Sequence, residues 1–324
     1  MRKIIRRQTL AFAATLLMPV LVMAQAYPNK PIRFLVPTQA GSAPDVATRR
    51  VAAQLSDILK QPVVVENRPG ANGVLAAREV ARSAPDGYTL LNANIGNAIN
   101  DLLRPEPGSR LTEELVAVSD LTTAALILVV HPSVPANNLK ELVELARKQP
   151  GKLTYASGGP GSLTQLAGER LKQAAKVDIR EIPYKSLGAD SVDLLAGRVD
   201  IGYRVWSSVA QSLANGSLKA IAVASSNKLI AAPQIPTTTE AGFPDQEALG
   251  WNGMFVPAGT PPAVIQTMQK AIAEAISRPV LRDVYVKDGT EVGGKTPEQF
   301  TALIKADKVR YAKIIKDADI KLTE

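Results

Sequence analysis

Two short stretches concentrate the groups that could do chemistry in this 324-residue chain. One runs Leu35-Val36-Pro37-Thr38-Gln39-Ala40-Gly41-Ser42-Ala43-Pro44-Asp45, the other Tyr155-Ala156-Ser157-Gly158-Gly159-Pro160-Gly161-Ser162. Each reads as a strand, a loop of small residues and the start of a helix. Such a turn leaves backbone N–H groups without intrahelical partners at the positive end of a helix dipole. Two of them facing one cleft would hold an anion with main-chain donors. A purely local reading stands beside this one. Ser162-Leu163-Thr164-Gln165 matches a capping box, and Asp45 could be an N-cap that spends its side chain on its own helix.

Covalent chemistry has little to work with. Ser157 and Ser162 could be nucleophiles of an exported serine hydrolase, but neither sits in a G-x-S-x-G elbow. The sequence has one histidine, His131, and no cysteine. That excludes thiol catalysis, disulfides, Cys-ligated zinc, Fe–S clusters, an acylated-Cys anchor and any multi-His metal site, and it nearly excludes a Ser-His-Asp triad. No cofactor and no metal is expected, and the vocabulary favours binding over catalysis.

The elements that must position the loops alternate along the chain. Strands are expected at 32–36, 63–65, 88–91, 127–130, 153–156, 179–182, 199–203, 221–224 and 251–256. Helices are expected at 45–59, 74–82, 139–148, 163–175, 189–196, 207–214, 262–277 and 297–317. This order predicts an α/β protein of two lobes, each a mostly parallel sheet flanked by helices. Pro132-Ser133-Val134-Pro135 and the stretch from Ala232-Pro233 to Phe243-Pro244 read as two crossing segments forming a hinge. The corresponding division is 27–130 plus 245–324 for lobe 1 and 131–244 for lobe 2.

The start of the chain reads as an export signal spanning 1–26. Arg2, Lys3, Arg6 and Arg7 precede an apolar run from Thr9 to Met23, too short for the roughly 20 residues of a spanning helix. Ala24-Gln25-Ala26 supplies a cleavage pattern, placing the mature N-terminus at Tyr27 in the periplasm. Arg6-Arg7 leaves both general and twin-arginine export open. Four of the bases behind the formal charge of +8 lie in this leader. The rest are interspersed with acids, and aromatics are only 4%, so no basic, aromatic-laced tract suggests nucleic acid.

Several blocks resemble one family. Tyr27-Pro28-Asn29-Lys30-Pro31-Ile32-Arg33, Val64-Val65-Glu66-Asn67-Arg68-Pro69-Gly70-Ala71 and Pro85-Asp86-Gly87-Tyr88-Thr89-Leu90 are similar to Bug-type receptors of tripartite tricarboxylate transporters. Pro183-Tyr184-Lys185 and Pro257-Ala258-Gly259-Thr260-Pro261-Pro262 continue the resemblance along the whole mature chain. It implies a two-lobe type II periplasmic-binding-protein-like fold, a small carboxylate held between the lobes by backbone amides, and delivery to membrane permease subunits by a monomeric receptor. A receptor that signals to a sensor partner would use the same cleft.

Carried over by position, the resemblance implies ligand contacts at Thr38, Gln39, Ala40, Gly41, Ser42 and Asp45 in the first loop. It implies Ser157, Gly158, Gly159, Gly161, Ser162 and Gln165 in the second. Asn94 and Asn97 form a third edge. The chain departs from the family with Thr38 after Pro37, Gly41-Ser42 in place of a Gly-Gly pair, Gln165 where His is frequent, and Arg204 where Asp is frequent. Arg204 supplies a planar fork, so it is expected to favour a ligand with a second carboxylate unless a neighbouring acid such as Asp200 takes it. His131, Arg68, Trp206 and Trp251 read first as structural; Tyr184-Lys185 fits either a pocket edge or a packed helix start.

Overall fold

A computed structural model describes residues 27–70, 73–103, 110–184 and 189–321. The expected leader, 1–26, and Lys185 lie outside these. The first elements are β1 (Ile32–Val36), α1 (Ala43–Leu59), β2 (Val63–Asn67), α2 (Val74–Ala81), β3 (Thr89–Asn94), α3 (Ile95–Leu103), α4 (Leu111–Glu114) and β4 (Leu115–Ala125). Then come β5 (Ile127–Val130), α5 (Leu139–Lys148), β6 (Thr154–Ser157), α6 (Leu163–Ala175), β7 (Arg180–Pro183), α7 (Ala189–Leu195), β8 (Ile201–Arg204), α8 (Trp206–Ala214) and β9 (Lys219–Val223). The chain closes with β10 (Leu249–Pro257), α9 (Pro262–Ser277), α10 (Pro279–Lys287), β11 (Thr290–Val292) and α11 (Pro297–Asp317).

These form two sheets with flanking helices, ordered β11-β4-β10-β3-β1-β2 and β7-β6-β8-β5-β9. Both are mixed, where mostly parallel sheets were expected. The βαβ units give parallel pairs, β1 with β2 and β3, and β6 with β7 and β8. Of the strands that carry the chain between sheets, β10 runs against β3 and β5 runs against β8. β4 and β10 pair antiparallel with each other, and β5 is antiparallel to β8 and β9. β4 passes into β5 through Leu126 alone, so one nearly continuous extended segment serves both sheets.

The crossing points are therefore strands, and the Pro-rich stretches are not hinges. Leu126 N–H donates to Ala248 O at 3.0 Å, and Ala248 N–H donates to Ala224 O at 2.8 Å. Ile127–Val130, placed with the first lobe by the sequence reading, hydrogen-bonds in the second sheet. Val134 is buried in the second sheet's core, and Pro236 O accepts from Val223 N–H at the β9 edge, so both Pro-rich stretches pack inside that half. Proline and glycine mark turns, but a crossing can equally be an extended, hydrogen-bonded ribbon.

Helix α11 shows how the termini close the first half. Thr296 caps it, accepting from Gln299 N–H while Gln299 Oε1 accepts from Thr296 N–H. Its apolar face, Phe300, Ile304, Tyr311 and Ile314, is buried. Phe300 meets Trp251 edge-on at 5.2 Å, and Trp251 Nε1–H donates to Asp307 at 3.0 Å. Leu166 of α6, in the other half, is fully buried in the same cluster, so this packing also joins the halves. Phe300→Ala should cost about 3–5 kcal/mol, read as a lower urea midpoint at an unchanged slope.

Candidate functional site

The two loops are built alike. β1 and β6 each end in a turn, and the helix that follows begins at a serine N-cap, Ser42 or Ser162. Before each serine stands a glycine at positive φ, +80° at Gly41 and +76° at Gly161, a conformation that side-chain-bearing residues rarely adopt. Each glycine N–H is taken by the side chain at the helix's third position. Gly41 donates to Asp45 Oδ2 at 2.8 Å, and Gly161 donates to Gln165 Oε1 at 2.8 Å. The capping box expected at Ser162 forms by half. Ser162 Oγ accepts from Gln165 N–H, but the glutamine side chain reaches past Ser162 to Gly161. Asp45 is likewise not the N-cap; it belongs to the first turn and fixes the loop.

Asp45 and Gln165 thus act as loop braces rather than as free groups. Buried Asp45 also accepts from Asn67 Nδ2 at 2.9 Å and pairs with Arg49 at 3.0 Å. The Arg49 guanidinium, with the Gly41 and Asn67 donors, holds its carboxyl down at about 2 against desolvation. Gln165 Nε2 donates to Glu181, and Ser157 Oγ bonds to the same carboxylate. Asn67, whose amide also reaches Thr38 O at 3.0 Å, is a further brace of the first loop. Its neighbour Arg68 joins an ion network with Glu66, Glu79 and Arg33 on the first half's surface.

Both loops open on one cleft of about 350 Å³. Thr38 lines it from the first loop and Gly158, Gly161 and Ser162 from the second, with Asn94 and Asn97 as the third edge. Gln39, Ala40 and Gly41 are exposed at the tip of the first loop, while Gly159 is buried behind the second. Asn97 Oδ1 accepts from Asn94 N–H, and Asn94 Oδ1 from Gly96 N–H. Asn100 and Leu103, the next two positions at a spacing of three along α3, also line the cleft. The sequence pattern predicts no helix at these positions, so only Asn94 and Asn97 are expected at this edge. A Cβ on Gly161 would stand 2.4 Å from Leu103 Cδ1, so the second loop seats closely on α3 of the other half. Among the described residues, no charged side chain lines this cleft.

Arg204 lies elsewhere. It lines an adjoining cavity of about 500 Å³ that shares Ser162 with the cleft. The guanidinium is buried, 2.9 Å from Asp190, with Nη1 donating to Tyr203 O at 2.9 Å. Burial pushes it below its ordinary value, and Asp190 opposes that shift. The expected free fork for a second carboxylate is therefore already matched. Asp200, the acid considered for it, is bound to Thr154 at 2.8 Å.

The remaining candidates are structural. His131 Nδ1 bonds to Ser133 Oγ at 2.7 Å, and neither Ser157 nor Ser162 bonds to an imidazole. Trp251 is core, Trp206 packs on Gly289, and the Tyr184 hydroxyl donates to Asp193 at 2.7 Å.

Residues 47–320 match the profile of the tripartite tricarboxylate transporter family receptor. BugT of Bordetella pertussis is 33% identical over 313 residues, covering 96% of each chain. The solved periplasmic binding protein BugD is 30% identical, with a TM-score of 0.73 over 91% of this chain and 99% of that one. Rpa4515 of R. palustris, solved with adipate, is 28% identical, with a TM-score of 0.78 over 91% of this chain and 99% of that one. Among the described residues no helix is long and apolar enough to cross a membrane.

Folding favours ionised Asp45, since its carboxyl is held at about 2 against about 3.9 in an unfolded chain. That stability is present above about pH 4 and is lost as pH falls through about 2. Asp45→Ala should cost about 1.5–3 kcal/mol at pH 7. Melting curves of both proteins from pH 7 to 3 should show the gap narrowing at the acid end.

Proposed function

The chain belongs to the tripartite tricarboxylate transporter receptor family, whose members are solute-binding receptors, and from that membership we propose that its cleft holds one carboxylate between the two loops. The observation that carries this reading is a single cleft lined by Thr38 from the first loop and by Gly158, Gly161 and Ser162 from the second. First-turn N–H groups of α1 and α6 have no intrahelical acceptor, and a carboxylate oxygen supplies one. The two sheets would be the two lobes, dividing at Leu126 and Ala248, and ligand would enter when they part. The relative solved with adipate supports the ligand class.

The receptor would act after export, cleaved behind Ala26, and would hand its ligand to permease subunits without altering it. Its two candidate serines are engaged in loop structure, which supports a role free of bond-breaking chemistry. Protein recovered from the periplasm should have an intact mass that begins at Tyr27; a full-length membrane-bound species would contradict this.

Gly41→Val tests the carboxylate reading. A Cβ there meets nothing within 4 Å, and any side chain strains the φ of +80°. Strain of about 1–3 kcal/mol should weaken binding of a carboxylate, found by a thermal-shift panel, about 5- to 150-fold while the fold survives. Unchanged affinity in the folded variant would show that the loop is only a turn.

A further inference from the structure

We propose that Asn100 selects the ligand beyond its anchored carboxylate, and that its side-chain amide takes a hydroxyl carried on the ligand's carbon chain. The inference rests on the carboxylate reading above and specifies what accompanies the carboxylate. Three asparagines stand at a spacing of three along one edge of the cleft, Asn94, Asn97 and Asn100. The first two have carbonyl oxygens committed to the junction of β3 with α3. Asn94 Oδ1 accepts from Gly96 N–H at 2.8 Å, and Asn97 Oδ1 accepts from Asn94 N–H at 2.9 Å.

Asn100 differs from both. Its exposure is only 6%, yet among the described residues no group bonds to its amide. Neither Oδ1 nor Nδ2 is sealed in the core, and the cleft is the space they open on. The next residue of α3, Asp101, shows the contrast. Its carboxylate accepts from Leu111 N–H at 3.1 Å and pairs with Lys308 at 3.2 Å, so that buried polar group is satisfied by the fold. Asparagine is a poor residue for a helix interior, because its amide competes with the backbone. A nearly buried amide without a partner also costs stability. An alanine at this position would suit the helix better, so the fold alone gives no reason for Asn100.

The amide also stands beside the anchor. A Cβ on Gly161 would lie 3.7 Å from Ile99 Cγ2 as well as against Leu103, so the second loop rests on the turn of α3 that carries Asn100. A carboxylate held by Gly158, Gly161 and Ser162 has its carbon chain next to that turn. The amide is neutral, with two N–H donors on Nδ2 and an acceptor at Oδ1. A hydroxyl can accept from Nδ2 or donate to Oδ1, so it bonds whichever end of the amide faces it. A second carboxylate uses only the donors, and the lone pairs of Oδ1 oppose it.

The test is a cycle between ligand and side chain. Butyrate, its 2-, 3- and 4-hydroxy derivatives and succinate share a four-carbon chain, and each is titrated by calorimetry into the mature wild-type protein and into Asn100→Ala. At least one hydroxybutyrate is expected to bind the wild type about tenfold or more tightly than butyrate does. In Asn100→Ala that ratio should collapse to about twofold or less. The unliganded variant should melt no lower than the wild type, since no group of the fold bonds the amide. A wild type without the hydroxyl advantage, an advantage that survives in Asn100→Ala, or an advantage for succinate alone would each overturn the proposal while leaving the carboxylate anchor in place. A destabilised or unfolded Asn100→Ala would show a structural asparagine and overturn it as well. If no carboxylate binds the wild type, acetate included, the anchor reading itself falls and takes this inference with it.

Discussion

The antiparallel pairing of β4 with β10 is the constraint on which the site depends. The chain passes between its two sheets twice, and both passages lie side by side in one hydrogen-bonded ribbon that ends at Ala125 and Leu249. Leu126 and Ala248 extend the ribbon by one further hydrogen bond, and Ala224 ties it to the second sheet. Two covalent connections that also bond to each other resist twist and shear, which leaves bending as the soft motion. Only under that restriction can a loop on β1 and a loop on β6, more than a hundred residues apart, face each other reproducibly.

The loops were legible in the sequence because each is a local event. Strand, small residues, serine and helix follow one another within about a dozen positions, and the backbone conformation of Gly41 and Gly161 is a property of those residues. The ribbon was not legible for the opposite reason. β4 carries Ser119, Asp120, Thr122 and Thr123, a polar run that no amphipathic pattern assigns to a buried strand. Ser119 and Asp120 are held in the interior by a partner far along the chain. Asp120 bonds to Lys295 through main chain and side chain, and Ser119 donates to Lys295 O. Helix α3 was missed in a related way. It follows β3 without an intervening turn, so no break in the sequence marks where the strand ends and the helix begins.

Charge in this molecule is matched before any ligand arrives. Asp45 meets Arg49, Arg204 meets Asp190, Asp101 meets Lys308 and Asp120 meets Lys295, and each pair includes a buried carboxylate. Removing one partner from such a pair leaves a charge that the interior cannot solvate. Arg204 shows why residue type alone misleads. A guanidinium beside a cleft suggests an anion site, yet Asp190, 14 positions earlier and on another element, cancels it. The cancellation depends on how α7 packs beside β8, which local sequence does not reveal.

The likeness of the two loops also contains their difference. Both braces stand at the third helical position, but one is charged and the other neutral. Asp45 places a carboxylate in the first turn of α1, where it occupies part of the positive field that the helix would offer an anion. Arg49 compensates from the next turn. The first turn of α6 holds no acid, and Gln165 braces Gly161 without adding charge. In the proposed grip, the second loop would be the stronger electrostatic half, and the first would contribute shape. An anion docked first on α6 would then meet the braced first loop as the ribbon bends, so that closing completes its coordination without rearranging either loop.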